Sequence, residues 1–407
     1  MNLAKTAPWR LAPAWVFLFV LPIGHTIAVR LSCLLLATIL AVATWRRDPP
    51  PSPSFLWPVL PLAAWALASL AWSVDPAFSW REIQNSFLYS ACAFASFYAV
   101  ARDETTVTRL CSAILVALPI MAVPAIVSVI HSGHESWFRK ASFGDPGTFS
   151  SYLINVLPIV LVTLAAERTR GVRIVGAIAL LLIAVGAAIT LNRAVWLAAL
   201  AMAAVHFGLR ARRAGRSWLR IGAVVLVATA IAIPAVGKLS VEFRPSPAGA
   251  NQAPDEMQSV VTRDARWAIW RYASAMIEAR PLTGYGFGRG ILRDRMRPAL
   301  GGDPNNWHAH NLFLNFALGV GVPAAFVLVL MFAVLAHWFW RRSIRADEPT
   351  FAMCTMGLTL IVGTLVKNMT DDIFIRDTSL LFWSIVGIAA GFAARQSRPA
   401  VETGHPG

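Results

Sequence analysis

Charge is what this sequence has least of. Asp, Glu, Lys and Arg make up 14% of its 407 residues, while 57% are hydrophobic; soluble domains carry about 25% charged residues. Apolar runs long enough to cross a bilayer recur along nearly the whole chain, which excludes an ordinary water-soluble globule. Acidic residues are scarcer still, 21 against 36 Lys and Arg, for a net charge of +15. In a soluble protein that excess would point to nucleic acid. In a membrane chain it reflects first the Lys and Arg of cytoplasmic loops, and no nucleic-acid partner is expected. Cysteine is rare too. Cys33, Cys92, Cys111 and Cys354 lie inside or beside apolar segments and form no CxxC pair, so neither a structural disulfide nor a thiolate metal site is indicated. Few ionisable residues fall mid-span, which speaks against a proton relay or ion pathway.

What is present is an all-α, polytopic membrane pattern. Helices are expected at about 11–29, 31–45, 55–72, 87–102, 110–131, 149–166, 172–191, 194–210, 219–237, 311–338, 351–370 and 379–395, about 12 spans. Lys5 and Arg10 precede "LAPAWVFLFVLPIG" as in a signal sequence. No small-x-small site follows and further spans do, so an uncleaved first helix is expected. "RARRAGRSWLR" at 210–220 is the strongest basic anchor, and the positive-inside rule then puts both termini on the cytoplasmic side of an inner-membrane-type protein. The chain divides into spans over 1–237, a periplasmic loop at 238–310, further spans over 311–395 and a cytoplasmic tail at 396–407. The loop carries ten Lys or Arg, against the usual trend for outer segments. Within it, 255–280 reads as an amphipathic helix with Val260, Arg263, Trp267, Trp270 and Ile277 at near-helical spacing.

Four features carry chemistry. Arg193 in "TLNRAVWLA" sits at an outward hairpin, and Arg263 and Arg266 lie one turn apart on the loop helix. Guanidinium forks bind phosphate oxygens bidentately and keep their charge, so these arginines can clamp a phosphate or pyrophosphate head group; snorkelling to ordinary phospholipid is the blander account. His308 and His310 stand at the start of a helix near Asn311. They can ligate zinc with Asp303, accept a proton from a sugar hydroxyl, or anchor at the interface. "GYGFGRG" at 284–290 lacks the strand and helix of a dinucleotide fingerprint; tight turns or close backbone approach remain. Asp371 and Asp372 share a short loop with Lys367 and Arg376, read first as a salt-bridged loop and second as an aid to substrate orientation.

Four stretches together resemble the O-antigen ligase and polymerase superfamily. "HAHNLFLNFALGVGVPA" looks like its H-N-x-x-L…G-x-x-G signature, and "RDARWAIWRYASAMIEARPLTGYGFG" its Arg-x-x-x-Trp helix with Pro-Leu-x-Gly-x-Gly. "LNRAVWLA" resembles its Ser-Arg hairpin, with Asn192 in place of Ser, and "FGDPGTFSSYLINVLP" its middle-helix start, with Gly147 where Asn is frequent. The resemblance implies a GT-C-like helical fold and transfer of a finished glycan from undecaprenyl pyrophosphate at the periplasmic face. Ligases pass it to lipid A–core, polymerases to a growing lipid-linked chain, protein glycosylases to Ser or Thr. It makes His310 the essential histidine and Arg193 and Arg266 the essential arginines, with Arg263 and Arg289 as weaker candidates for the diphosphate. His308 would orient His310 or bind acceptor sugar, and no cofactor or metal is implied. The strongly basic loop suits a phosphate-rich core and favours a ligase. A polymerase is the second reading. A lipid-linked oligosaccharide transporter is the alternative from another class, disfavoured because no internal repeat is visible.

Overall fold

A computed structural model of the protein describes residues 8–140, 146–166, 169–215, 265–302, 306–372, 374 and 376–396, with side chains left aside at 8, 132–140 and 265. The described residues form helices and no strands: α1 (Pro8–Val20), α2 (Ile27–Arg47), α3 (Val59–Ala68), α4 (Pro76–Ile83), α5 (Tyr89–Val100), α6 (Glu104–Lys140), α7 (Pro146–Ala165), α8 (Arg170–Ile189), α9 (Arg193–Arg213), α10 (Ala265–Ala279), α11 (Arg293–Ala299), α12 (Leu312–Val320), α13 (Val322–Ser343), α14 (Glu348–Asn368) and α15 (Arg376–Gln396). Among them, nine helical segments are long and apolar enough to cross a membrane. The expected span at 219–237 lies outside the described residues.

Three of the boundaries that differ from expectation do so for a local reason, and α6 also overruns its expected 110–131 at both ends. The 11–29 span stops at Val20, because the chain turns through Pro22 and Gly24 and His25 adopts φ 60°. The 311–338 span is two helices. Gly321, at φ 88°, separates α12 from α13, and the Val322 N–H that would continue the helix goes to the Pro281 carbonyl instead (2.8 Å). The 87–102 span begins much earlier, at Pro76. Asp75 caps it by accepting from the Phe78 amide (2.9 Å) and proline takes the first position, a start signal present in "SVDPAF". A π-helical turn, Gln84–Leu88, joins α4 to α5.

The core lies around α15, whose side chains are buried from Thr378 to Ala394. Small residues let helices approach: a Cβ on Gly391 would come within 2.5 Å of the Tyr98 carbonyl on α5. α9 runs antiparallel to α14. Arg210 and Arg213 at its end hold Glu348 at the start of α14 (3.1 and 3.2 Å), and Met202 packs over Gly363. Arg193, at the start of α9, therefore shares an end of the bundle with Lys367. A second, smaller core of Ile269, Tyr285, Leu292, Met296 and Leu318 ties α10 and the segment after it to α12.

Candidate active site

The site is built by two stretches that the chain brings together from far apart. The first is 281–292. Tyr285 and Gly286 donate backbone hydrogen bonds to the Gly319 carbonyl (2.9 and 2.8 Å), and Val74 donates to Tyr285 (2.9 Å). Trp72 Nε1 reaches the Thr283 carbonyl and Trp65 Nε1 the Val320 carbonyl (2.7 and 2.8 Å). The glycines of "GYGFGRG" thus serve close backbone approach to α12. Arg289 ends the stretch with its guanidinium 4.6 Å over the Trp307 ring.

The second stretch is 306–311. Asn311 caps α12, its Oδ1 accepting from the Phe313 and Leu314 amides (2.9 and 3.1 Å), while its Nδ2 donates to the Met369 carbonyl (2.7 Å). Ala309 donates to Asn315 Oδ1 (2.9 Å) and accepts from Trp270 Nε1 (2.8 Å). His310 sits between these anchors at φ 46°, its side chain 23% exposed. Left-handed backbone at a non-glycine residue is costly and needs such anchors to hold it.

His310 Nδ1 faces Asp371 Oδ1 at 3.9 Å, an ion-pair distance; the other carboxylate oxygen accepts from buried Lys367 Nζ at 2.9 Å. Burial alone would raise the Asp371 carboxyl. His310, Lys367 and the Asp372 amide outweigh it and hold the group well below the usual carboxylate range. Asp372 goes the other way: burial pushes it up to about 6, opposed by Arg289 and reinforced by Asp371. Its Oδ2 accepts from Asn315 Nδ2, and its Oδ1 is buried without a hydrogen-bond partner.

His308 is buried at 2% exposure. Its Nδ1 accepts from the His310 amide (3.0 Å) and its Nε2 touches Arg289 Nη2. Both neighbours are donors, so a doubly protonated ring has no acceptor there. Burial first, then Arg289 and His310, lower its pKa to about 2. Below the ordinary histidine value of about 6.5 the unfolded chain binds a proton that this ring refuses. Stability is therefore expected to fall as pH drops below 6.5, by about 1.4 kcal/mol per pH unit from this group. Melting temperatures between pH 7 and 4.5 should show a flatter profile in His308→Asn, which keeps an acceptor; an identical slope in both proteins would refute the assignment.

A cavity of about 280 Å³ opens beneath the cluster. Arg289, Asn315, Asp372 and Glu82 stand at its polar end, and Phe87, Phe94, Phe287, Phe316 and Met331 make its walls, with Trp45 and Leu56 farther down. The structure thus joins His310, His308 and Arg289. Arg266 is half-buried one helical turn before Trp270, the residue that holds Ala309. Arg193 is exposed at the same end of the bundle, outside the hydrogen-bonded cluster. Arg263 and Asp303 lie outside the described residues, as do 255–264 of the expected loop helix; its described part, α10, buries Ile269 and Ala273 while Trp267 is 57% exposed. The salt-bridged loop is found in part: Lys367 pairs with Asp371, but Arg376 pairs with Glu82 (3.5 Å). Sequence reasoning missed the roles of Asn315 and Glu82, whose partners lie 57 and 294 residues away.

A comparison with curated proteins gives no match. Residues 178–329 match the family model described as O-antigen ligase. That stretch runs from α8 into α13 and holds Arg193, Arg266, Arg289, His308 and His310, while Lys367, Asp371 and Asp372 are supplied from beyond it. By that match this multi-helix membrane protein carries a region similar to the O-antigen ligase family, and the histidine–arginine cluster lies inside it.

Proposed function

We propose that the protein transfers a completed glycan from undecaprenyl pyrophosphate to a sugar hydroxyl of lipid A–core, with inversion and without a metal ion. The observation that carries this reading is His310, held against the Asp371–Lys367 pair at the polar mouth of an apolar cavity, with Arg289 alongside. His310 accepts the proton of the acceptor hydroxyl, and the freed oxygen pair attacks the anomeric carbon. The bond from that carbon to the pyrophosphate oxygen breaks, and the pyrophosphate leaves with its electrons. Asp371 stays ionised and stabilises the imidazolium as it forms, as a carboxylate does behind any histidine base. Pyrophosphate is a competent leaving group, so the remaining requirement is fixed positive charge where it departs. Arg193, Arg266 and Arg289 supply it, with Arg263 as a further candidate, and His308 fixes the His310 backbone. The apolar cavity suits the isoprenoid next to the diphosphate.

A periplasmic site in a bacterial inner membrane, with both termini cytoplasmic, is supported by charge placement. Arg46, Arg47, Arg210, Arg212, Arg213, Arg341, Arg342 and Arg395 fall in last turns of helices and cluster at the end of the bundle away from His310. The test is transfer by purified protein in EDTA, offered lipid-linked polysaccharide and lipid A–core. Transfer to core that is lost in Arg266→Ala is expected. Activity that returns only with added divalent metal would overturn the metal-free reading, and lengthened lipid-linked chains with core ignored would make the protein a polymerase.

A further inference from the structure

A second cavity, about 410 Å³, lies between α6, α7, α8 and the start of α14, within the usual size range of ligand sites. It is far from His310. Met353 and Met356 line it, while Lys367 of the same helix belongs to the site described above; eleven or more helical residues put roughly 16 Å between them.

The walls are apolar in effect as well as in composition. Leu115, Val162, Val172 and Met356 face it, and two of its lining hydroxyls are turned back into their own helices: Ser112 donates to the Arg109 carbonyl and Thr163 to the Ile159 carbonyl, both at 2.7 Å, while Thr108 and Thr169 are exposed. An occupant meets methyl, methylene and thioether surface. The cavity reaches the outside at Thr108, Gly171 and Val175, all exposed. On that side α8 presents Ile174, Val175 and Ile178, each at least 50% exposed, an apolar face suited to lipid. The mouth is ringed by cations. Arg109, Arg170 and Arg173 are exposed, each one residue from a lining residue, and none has an ion pair among the described residues. Asp103, just before α6, is engaged in capping that helix through Thr106, and Glu104 in its first turn makes no ion pair with these arginines among the described residues.

We infer that this cavity is a lipid site separate from the catalytic one: an anionic glycerophospholipid seats an acyl chain between α6, α7 and α8 and lays its phosphate on Arg109, Arg170 and Arg173. The apolar interior selects a chain, and the unpaired arginines select a negative head group. A free anion would have no use for the cavity, and a neutral lipid none for the arginines.

Native mass spectrometry of the full-length protein in detergent tests this, with phosphatidylglycerol and phosphatidylcholine of the same chains as probes. The wild type should retain phosphatidylglycerol roughly tenfold better. Arg170→Gln with Arg173→Gln should bring the two lipids to parity, and Arg170→Lys with Arg173→Lys should keep the preference. Thr163→Trp, which fills the cavity, should lower retention of both. Parity in the wild type, or wild-type retention in Thr163→Trp, would overturn the site. Glycerol phosphate competing as well as phosphatidylglycerol would reduce it to a surface anion patch and overturn the seated chain. Melting curves of each variant identify any that has failed to fold, and the lysine pair then decides the matter.

Discussion

His310→Ala is expected to lower glycan transfer by about a hundred- to ten-thousandfold, with the protein still folded and inserted. The side chain is part-exposed, meeting the His308 ring and Asp371, and Asp371 keeps Lys367 as its partner, so the loss falls on the proposed base far more than on the fold. Alanine at φ 46° keeps the same strained backbone, and the anchors at Ala309 and Asn311 are unchanged. Asp371→Asn should also cost activity, but it differs in kind. It leaves Lys367 buried and charged with its carboxylate gone, a situation that typically costs 3–5 kcal/mol. Transfer rate and melting temperature measured together separate the two: the histidine variant falls in rate alone, the aspartate variant in both. Transfer unchanged in His310→Ala would remove it as the base.

Gly284→Ala is expected to lower stability by at least about 2 kcal/mol and to abolish activity. At φ 63° the position already disfavours a side chain, and an added Cβ would collide with the carbonyl of Gly319, which is helix backbone and cannot swing aside. Relief requires the 281–292 stretch to lift from α12, taking Arg289 from His308. Gly286→Ala, at φ 116° and with both the hydroxyl and the Cβ of Ser73 in the way, should be destabilising as well. Thermal unfolding and limited proteolysis between α10 and α12 would show both losses; wild-type melting in Gly284→Ala would refute this view of how the loop is docked.

Much of the fold was legible because apolar periodicity is local, and so was the contiguous part of the site. His308, His310 and the Asn311 cap lie in one short string, and Arg289 in another whose glycines announce a constrained backbone. What could not be read was set by contacts over long sequence separations. Lys367 and Asp371 advertise an i,i+4 pair, but nothing local says that its far side meets His310. The break at Gly321 is written as Gly-Val-Pro, yet an apolar run passes straight through it; the break is stabilised by a carbonyl forty-one residues earlier, Pro281. The tryptophans of α10 look alike in sequence. Only Trp270 is drawn inward, because the Ala309 carbonyl lies opposite.

The π turn between α4 and α5 makes that rod sensitive to residue count as much as to residue type. It holds one residue beyond what an α-helical path needs. Winding the same residues as plain α-helix, with none deleted, would rotate α4 by about 100° relative to α5. Phe78 and Glu82, which crowd Gly288, would leave that surface, and Glu82 would part from Arg376. A single-residue deletion within the turn is thus the change in length this rod can absorb, π becoming α while Phe78 and Glu82 keep their place at the roof of the cavity.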